Sequence, residues 1–230
     1  MRYPGGKGKS FQHLINLMPP HATYIETHLG GGAVMRNKKA AQRSFGIDLD
    51  AAVIDRWRRS NPSGCTLVHG DAIEFLASFD FTGQELVYCD PPYVTATRRR
   101  ARIYRHEYSD RDHERLLQML LCLPCMVMIS GYENEIYARH LAGWNRYSFD
   151  AVTQAGLRKE NVWFNFEPPT RLHDAGFLGD TFRERQSIKR RHERLVDRFE
   201  RMCPVERHHA LQLLNAKFGV RDIAVAEATE

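Results

Sequence analysis

The stretch Leu86-Val87-Tyr88-Cys89-Asp90-Pro91-Pro92-Tyr93 has the clearest chemical content in this sequence. An apolar, β-prone run ends in a carboxylate, two prolines and an aromatic ring. The run reads as a buried strand stopped by Pro91 and Pro92, because proline supplies no backbone N–H and restricts the residue before it. Asp90 and Tyr93 are therefore expected on a stiff backbone at a strand's carboxyl end, where open α/β sheets place their ligands. The Asp90 carboxylate and the Pro91 carbonyl can accept both N–H groups of an exocyclic amine and aim its lone pair at an electrophilic carbon. Pro92 completes the rigid segment, and the Tyr93 ring is placed as a surface on which a base stacks. Alignment of this kind supplies roughly 7–11 kcal/mol of a barrier without a metal or a covalent intermediate.

Other segments supply a nucleotide-sized neighbour. Ala22 to Glu26 reads as a strand that runs into Glu26-Thr27-His28-Leu29-Gly30-Gly31-Gly32 and a helix from Ala33 to Lys39. Strand, glycine loop and helix make the nucleotide-binding turn of a Rossmann-like unit. Phe45 to Asp48 follows as a second strand, and Asp48 stands roughly 20 residues on, where an acid meets ribose hydroxyls. Asp48 is equally placed to cap a helix over 51–57. Cys65 to Asp71 is a third strand with an acid at its end. Asp71 either accepts from a purine amine or caps the helix over 72–79. Successive strands thus bring acids to one rim. Upstream, Gly5-Gly6-Lys7 precedes apolar residues at helical spacing (Phe11, Leu14, Ile15, Met18). The glycines permit close backbone approach and Lys7 offers an ammonium, but full P-loop spacing is lacking, which argues against ATP hydrolysis.

The elements that must position these groups fill a chain of 230 residues, sized for one domain with an appendage. Its hydrophobic content of 43% suffices for a core, and 27% charged residues with a mean hydropathy of −0.50 describe a soluble chain. A cytoplasmic protein without membrane segment or signal peptide is expected. The five cysteines, an odd number, are expected as free thiols, with Cys122 and Cys125 buried rather than holding zinc or a redox bond. A net charge of +5 and a pI near 9.0 suggest a polyanionic partner. The charge is clustered. Arg98, Arg99, Arg100, Arg102 and Arg105, with Tyr104 and Tyr108, follow the acidic segment directly and read as a phosphate-contacting lid. Further elements are a helix over 110–121, a strand over 126–129, a helix over 132–141 and a late antiparallel pair at 146–149 and 162–166. Beyond Pro168-Pro169 comes a loop, then a charged helix over 183–202 that includes Lys189, Arg190 and Arg191. Its apolar stripe (Ile188, Leu195, Phe199, Met202) is narrow, so a solvated helix and a nucleic-acid-binding helix fit equally. Pro204 opens a last helix ending near Gly219. The division expected is a catalytic domain over 1–168, a basic helical appendage over 169–219 and a loose tail over 220–230.

Taken together, these pieces resemble the Dam-type adenine-specific DNA methyltransferases. The matching segments are Tyr3-Pro4-Gly5-Gly6-Lys7, Glu26 through Gly32, Ile47-Asp48, Gly70-Asp71-Ala72 and Asp90-Pro91-Pro92-Tyr93, in the family's order. Weaker similarity runs through Ile129-Ser130-Gly131-Tyr132 and Val162 to Phe166. The resemblance implies an α/β, Rossmann-like, S-adenosylmethionine-dependent methyltransferase fold, with a mostly parallel sheet and a C-terminal helical appendage. It implies S-adenosylmethionine as cofactor, no metal, and N6-methyladenine in DNA as product. Tyr3, Gly6, Lys7, Glu26, Gly30, Gly32, Asp48, Asp71 and Asp90 fall at cofactor positions, and Asp90 to Tyr93 at the catalytic motif. Family members with strict sequence recognition carry a sizeable region between the Gly-Asp-Ala and Asp-Pro-Pro-Tyr segments. Here only one helix and a short loop separate Ala72 from Asp90, so recognition is expected to be relaxed or relocated. His28 stands where the family has an aromatic. An RNA N6-adenine methyltransferase would use the same site. A non-catalytic nucleic-acid-binding module that kept the fold is the reading from another class. Asp90 disfavours N4-cytosine transfer, and Asp90 to Tyr93 would have no role in hydride transfer.

Overall fold

The computed structural model describes residues 6–8, 10–60, 64–98, 105–153 and 156–219. The expected Tyr3 contact, Arg99, Arg100, Arg102 and the 222–230 tail lie outside the described residues. The chain forms two compact units, Met1–Leu178 and Gly179–Glu230.

The first unit is built on seven strands: β1 (Thr23–Glu26), β2 (Arg43–Asp48), β3 (Thr66–His69), β4 (Glu85–Cys89), β5 (Met126–Gly131), β6 (Asn145–Thr153) and β7 (Gly156–Phe164). Their order is β3-β2-β1-β4-β5-β7-β6. The first five are parallel, while β7 runs antiparallel to β5 and to β6. This is the expected α/β, Rossmann-like fold with a mostly parallel sheet. The strand order reverses between β1 and β4, which opens a crevice at their carboxyl ends.

Alternation along the strands divides the core into two layers. Tyr24, Leu86, Tyr88 and Met128 face α1 (Phe11–Ile15), α2 (Ala33–Asn37) and α3 (Ala51–Arg59). Ile25, Val87, Cys89, Val127 and Ile129 face α4 (Ala72–Ser78), α5 (Asp110–Leu121) and α6 (Glu135–His140). Strands buried on both faces explain the near-continuous apolar runs of the sequence. β4 is buried at every position, Glu85 included. Glu85 tolerates this because Thr82 and Gly83 donate four hydrogen bonds to its carboxylate.

Several element ends differ from expectation for local reasons. α1 stops at Ile15 and tightens through Leu17 and Met18 into i→i−3 bonds before Pro19. α6 starts at Glu135 because the Asn134 side chain accepts from Tyr137 N. The β6–β7 hairpin is longer than the two short strands expected, which draws Glu160 into β7. Asp50, not Asp48, caps α3 by accepting from Ala52 N.

In the second unit, α7 (Phe182–Glu200) is capped by Thr181 and α8 (Pro204–Phe218) begins with proline at its first position. Neither helix contains a buried residue.

Candidate functional site

Asp90 follows β4 directly, and the β4–β5 register sets its surroundings. Cys89 pairs with Ile129, so Ser130 lies beside Asp90. Asp90 Oδ1 accepts from Ser130 Oγ at 2.8 Å and from Lys7 Nζ at 2.6 Å. Among the described residues its Oδ2 has no hydrogen bond. Lys7 Nζ also lies 2.8 Å from Glu160 Oε1 and donates to Tyr93 Oη at 2.6 Å. Tyr93 Oη in turn donates to Glu160 Oε1 at 3.0 Å. One buried ammonium is therefore held by two carboxylates and a phenol from two distant parts of the chain. Burial works against the Lys7 charge, but Asp90 and Glu160 outweigh it and raise its pKa well above the ordinary value. Burial, with Glu160 adding to it, raises Asp90, while Lys7 pulls it back down.

A cleft enclosing about 820 Å³ of non-atom space, part of it open to solvent, lies beside Asp90. The glycine loop forms its floor. Gly30 and Gly32 have φ of 45° and 56°. A Cβ on Gly32 would lie 2.1 Å from Trp57 Cζ2, so the loop wraps a tryptophan that no other residue would admit. Trp57 Nε1 returns a hydrogen bond to Gly30 O at 3.1 Å. Asp48 anchors the loop: Oδ2 accepts from Gly30 N and Oδ1 from Asp50 N, both at 2.8 Å. Burial raises its carboxyl pKa.

Glu26 ends β1 at the crevice. Its Oε2 accepts from Tyr24 Oη and Met35 N, each at 3.0 Å, and its Oε1 has no hydrogen bond among the described residues. Burial pushes its pKa up to about 8, against the pull of Tyr24. A buried carboxyl left neutral in this way favours a cationic ligand, which would restore its charge. Asp71 Oδ1 caps α4 through Ile73 N and Glu74 N, which leaves Oδ2 without a hydrogen bond among the described residues. Gly6, Lys7, Glu26, Gly30, Gly32, Asp48, Asp71 and Asp90 all line this one cleft. Pro92 lines it too, whereas Pro91 is buried.

Three expectations need correction. Tyr93 is only 9% exposed, its hydroxyl tied to Lys7 and Glu160, and Tyr132 lies against its ring at 4.4 Å between centroids. It presents little free face to a base. Arg98 is not part of an exposed lid: its side chain is 2% exposed and pairs with Glu107 at 2.6 Å. Lys189 is exposed and lies 3.8 Å from Glu193 one turn on. Cys122 is exposed rather than buried, although Cys125 is half-buried with its thiol pushed up to about 12 by burial. Arg105 is 68% exposed and reaches Asp50 Oδ1 at 3.2 Å, so it stands at the cleft mouth. Arg190 and Arg191 are exposed on α7. No group of metal-ligating side chains occurs among the described residues, and no helix among them is long and apolar enough to cross a membrane.

The structure adds residues that the sequence did not single out. Glu160 closes the charged cluster. Tyr108 packs edge-on against His28 and meets His28 Nε2 at 3.1 Å, while His28 Nδ1 meets Thr27 Oγ1 at 2.8 Å. The imidazole is a neutral ring here, its pKa pushed down to about 3 by burial. The Arg158 guanidinium lies 3.7 Å from the Tyr132 ring centroid and donates to Thr97 O. Tyr108 was read only as part of the basic loop and Tyr132 only within Ile129-Ser130-Gly131-Tyr132, while Glu160 and Arg158 left no trace in the sequence.

No protein-family model and no curated protein matches the chain. Solved structures give distant likenesses. Magnesium protoporphyrin IX methyltransferase (ChlM) from Synechocystis PCC 6803, with S-adenosylhomocysteine bound, is 9% identical over 69% of this chain and 83% of its own, with a TM-score of 0.48. The O-methyltransferase TomG from Streptomyces achromogenes, in complex with S-adenosylmethionine, is 14% identical over 69% and 79%, with a TM-score of 0.45. Precorrin 8w decarboxylase from Methanobacterium thermoautotrophicum is 11% identical over 71% and 93%, with a TM-score of 0.46. The names describe different reactions on different substrates.

Proposed function

We propose that this protein transfers the methyl group of S-adenosylmethionine to the N6 amine of adenine in DNA, as the resemblance to the Dam-type methyltransferases implies. The observation that carries the reading is Asp90. It stands at the carboxyl end of β4, with Oδ1 fixed by Lys7 and Ser130 and Oδ2 open beside the glycine-floored cleft.

The cleft suits the cofactor. Its glycine floor admits a bulky ligand, and Asp48 and Asp50 stand together where ribose hydroxyls need acceptors. Asp71 Oδ2 suits an exocyclic amine. Glu26, pushed toward neutrality by burial, suits the positive charge of an aminoacyl sulfonium. When bound, the cofactor supplies an electrophilic methyl group. The chain's own work is orientation. Asp90 Oδ2 accepts one N–H of the substrate amine and holds the nitrogen at a fixed place. Lys7 and Ser130 keep the carboxylate from rotating. Tyr93 and Tyr132 wall the site beside Asp90. A base inside a duplex must leave the stack to reach such a site.

The test is incubation with tritiated S-adenosylmethionine and duplex DNA, with single-stranded DNA and RNA alongside and Asp90→Ala as control. Labelled N6-methyladenine from DNA, lost in Asp90→Ala, is the expected result. Label confined to RNA would move the protein to the RNA methyltransferases. Cofactor binding without label in any polymer would leave a nucleic-acid-binding module.

A further inference from the structure

α7 concentrates arginines along one face. Arg183, Arg190, Arg194 and Arg201 follow one another at spacings of seven, four and seven residues, which keeps them on one side of an α-helix. Arg191 and Arg198 flank the same row. Glu193 and Glu200 lie on a different side, next to Lys189, while Asp197, seven residues from Arg190 and four from Arg201, borders the row as its one acid. Ile188, Leu195 and Phe199 form a third strip. At 1.5 Å per residue the arginine row runs ~27 Å.

These arginines are all exposed. None forms an ion pair or side-chain hydrogen bond among the described residues, whereas Lys189 lies 3.8 Å from Glu193. The arrangement works against the helix itself. Arg190 and Arg194, and Arg194 and Arg198, stand four residues apart, a spacing at which like charges repel. At its start Phe182, Arg183, Gln186, Ser187, Arg190 and Arg194 border a shallow gap open to solvent. Guanidinium forks beside serine and glutamine donors match phosphate oxygens in charge and geometry.

We infer that this arginine row is a docking surface for the phosphate backbone of duplex nucleic acid. It contacts phosphates rather than base edges, so it adds affinity and orientation without sequence selectivity. The inference deepens the proposed function and rests on it for the class of polymer. α7 does the holding that a recognition insert between Ala72 and Asp90 would otherwise do.

The experiment compares two variants of the full chain on a fluorescent DNA duplex and on an RNA duplex of equal length, across a salt series. One variant is Arg190→Gln/Arg194→Gln/Arg201→Gln. The other, Lys189→Gln/Arg207→Gln/Lys217→Gln, removes the same charge off the row. Circular dichroism checks that both keep their helices, and titration with S-adenosylhomocysteine checks the cleft separately. The row variant is expected to lose tenfold or more in affinity at 0.1 M salt, with its log–log salt slope shallower by about 2–3. The off-row variant is expected to keep the wild-type slope. Equal losses in both variants, or wild-type binding by the row variant, would overturn the inference. Loss of duplex binding with cofactor binding intact supports the surface even where no methyl transfer is found, so the two readings fail separately. DNA bound in preference to RNA, or the reverse, identifies the polymer that the row serves.

Discussion

Lys7 is shared by Asp90 and Glu160, and that sharing governs the residue scale. A buried cluster of two carboxylates and one ammonium carries an excess negative charge in a low-dielectric setting. Glu160 therefore raises the Asp90 pKa, while Lys7 lowers it. Asp90 accepts from a substrate amine in its ionised form, so the rate rises with pH through its titration. Glu160→Gln removes the repelling charge while keeping an acceptor for Tyr93. The acidic limb of the methyl-transfer pH profile is expected to move to lower pH in this variant. An unmoved limb would separate Glu160 from Asp90. Removing the shared cation has the opposite sign. Lys7→Met leaves both carboxylates unpaired, so the limb moves to higher pH and unfolding in urea becomes easier by about 3–5 kcal/mol.

At the scale of elements, the glycine loop and the caps do double duty. Gly32 opens α2 in the left-handed region and lies against Trp57 of α3. Gly32→Ala combines backbone strain with a steric overlap that only a shift of α3 relieves. It is expected to cost about 2 kcal/mol or more, within the range of strained backbone positions, and to weaken cofactor binding, read by thermal melts and calorimetry. Retention of wild-type stability would show that α2 and α3 are loosely docked. Asp71 caps α4 with one oxygen and offers the other to the cleft. Asp71→Ala is expected to cost about 1 kcal/mol of stability along with cofactor affinity. Asp71→Asn keeps the cap and loses only the charged acceptor. Equal cofactor affinity in Asp71→Asn and wild type would reduce Asp71 to a cap.

On the scale of the whole molecule, burial of histidines sets the response to acid. Desolvation lowers His21 and His28 to about 3 and His113 to about 4. Their folded pKa values lie below the unfolded value of about 6.5, so the folded state binds fewer protons. The stability they confer is complete above roughly pH 6.5 and is lost as pH falls toward 4 and 3, at up to about 1.4 kcal/mol per pH unit for each group. Glu26 acts in the other direction. Raised to about 8, it favours the folded state at low pH, and that contribution is lost as pH rises from 4.5 to 8. Urea midpoints are expected to fall between pH 6.5 and 4.5, with a smaller slope in His113→Gln, whose imidazole is fully buried. An unchanged slope would remove His113 from the account.

What the sequence determined was local. The apolar run before Asp90-Pro91-Pro92, the glycines before α2 and the acids closing β2 and β4 are legible because strand endings and turns depend on residues a few positions apart. The helix over 110–121 was readable for the same reason, and α5 spans those residues. The tertiary structure decided which side chains meet. Glu160 reaches Lys7 because β7 runs antiparallel beside β5, and no local signal records that pairing. Arg98 looked exposed because its neighbours are basic, yet Glu107 across the loop takes it out of solvent. Asp48 and Asp50 both fit a capping role by spacing, and only the position of Gly30 above β2 assigned the loop to one and the helix to the other. Periodicity and propensity act along the chain. Charge pairing and burial act through space, where the register of distant strands sets the distances.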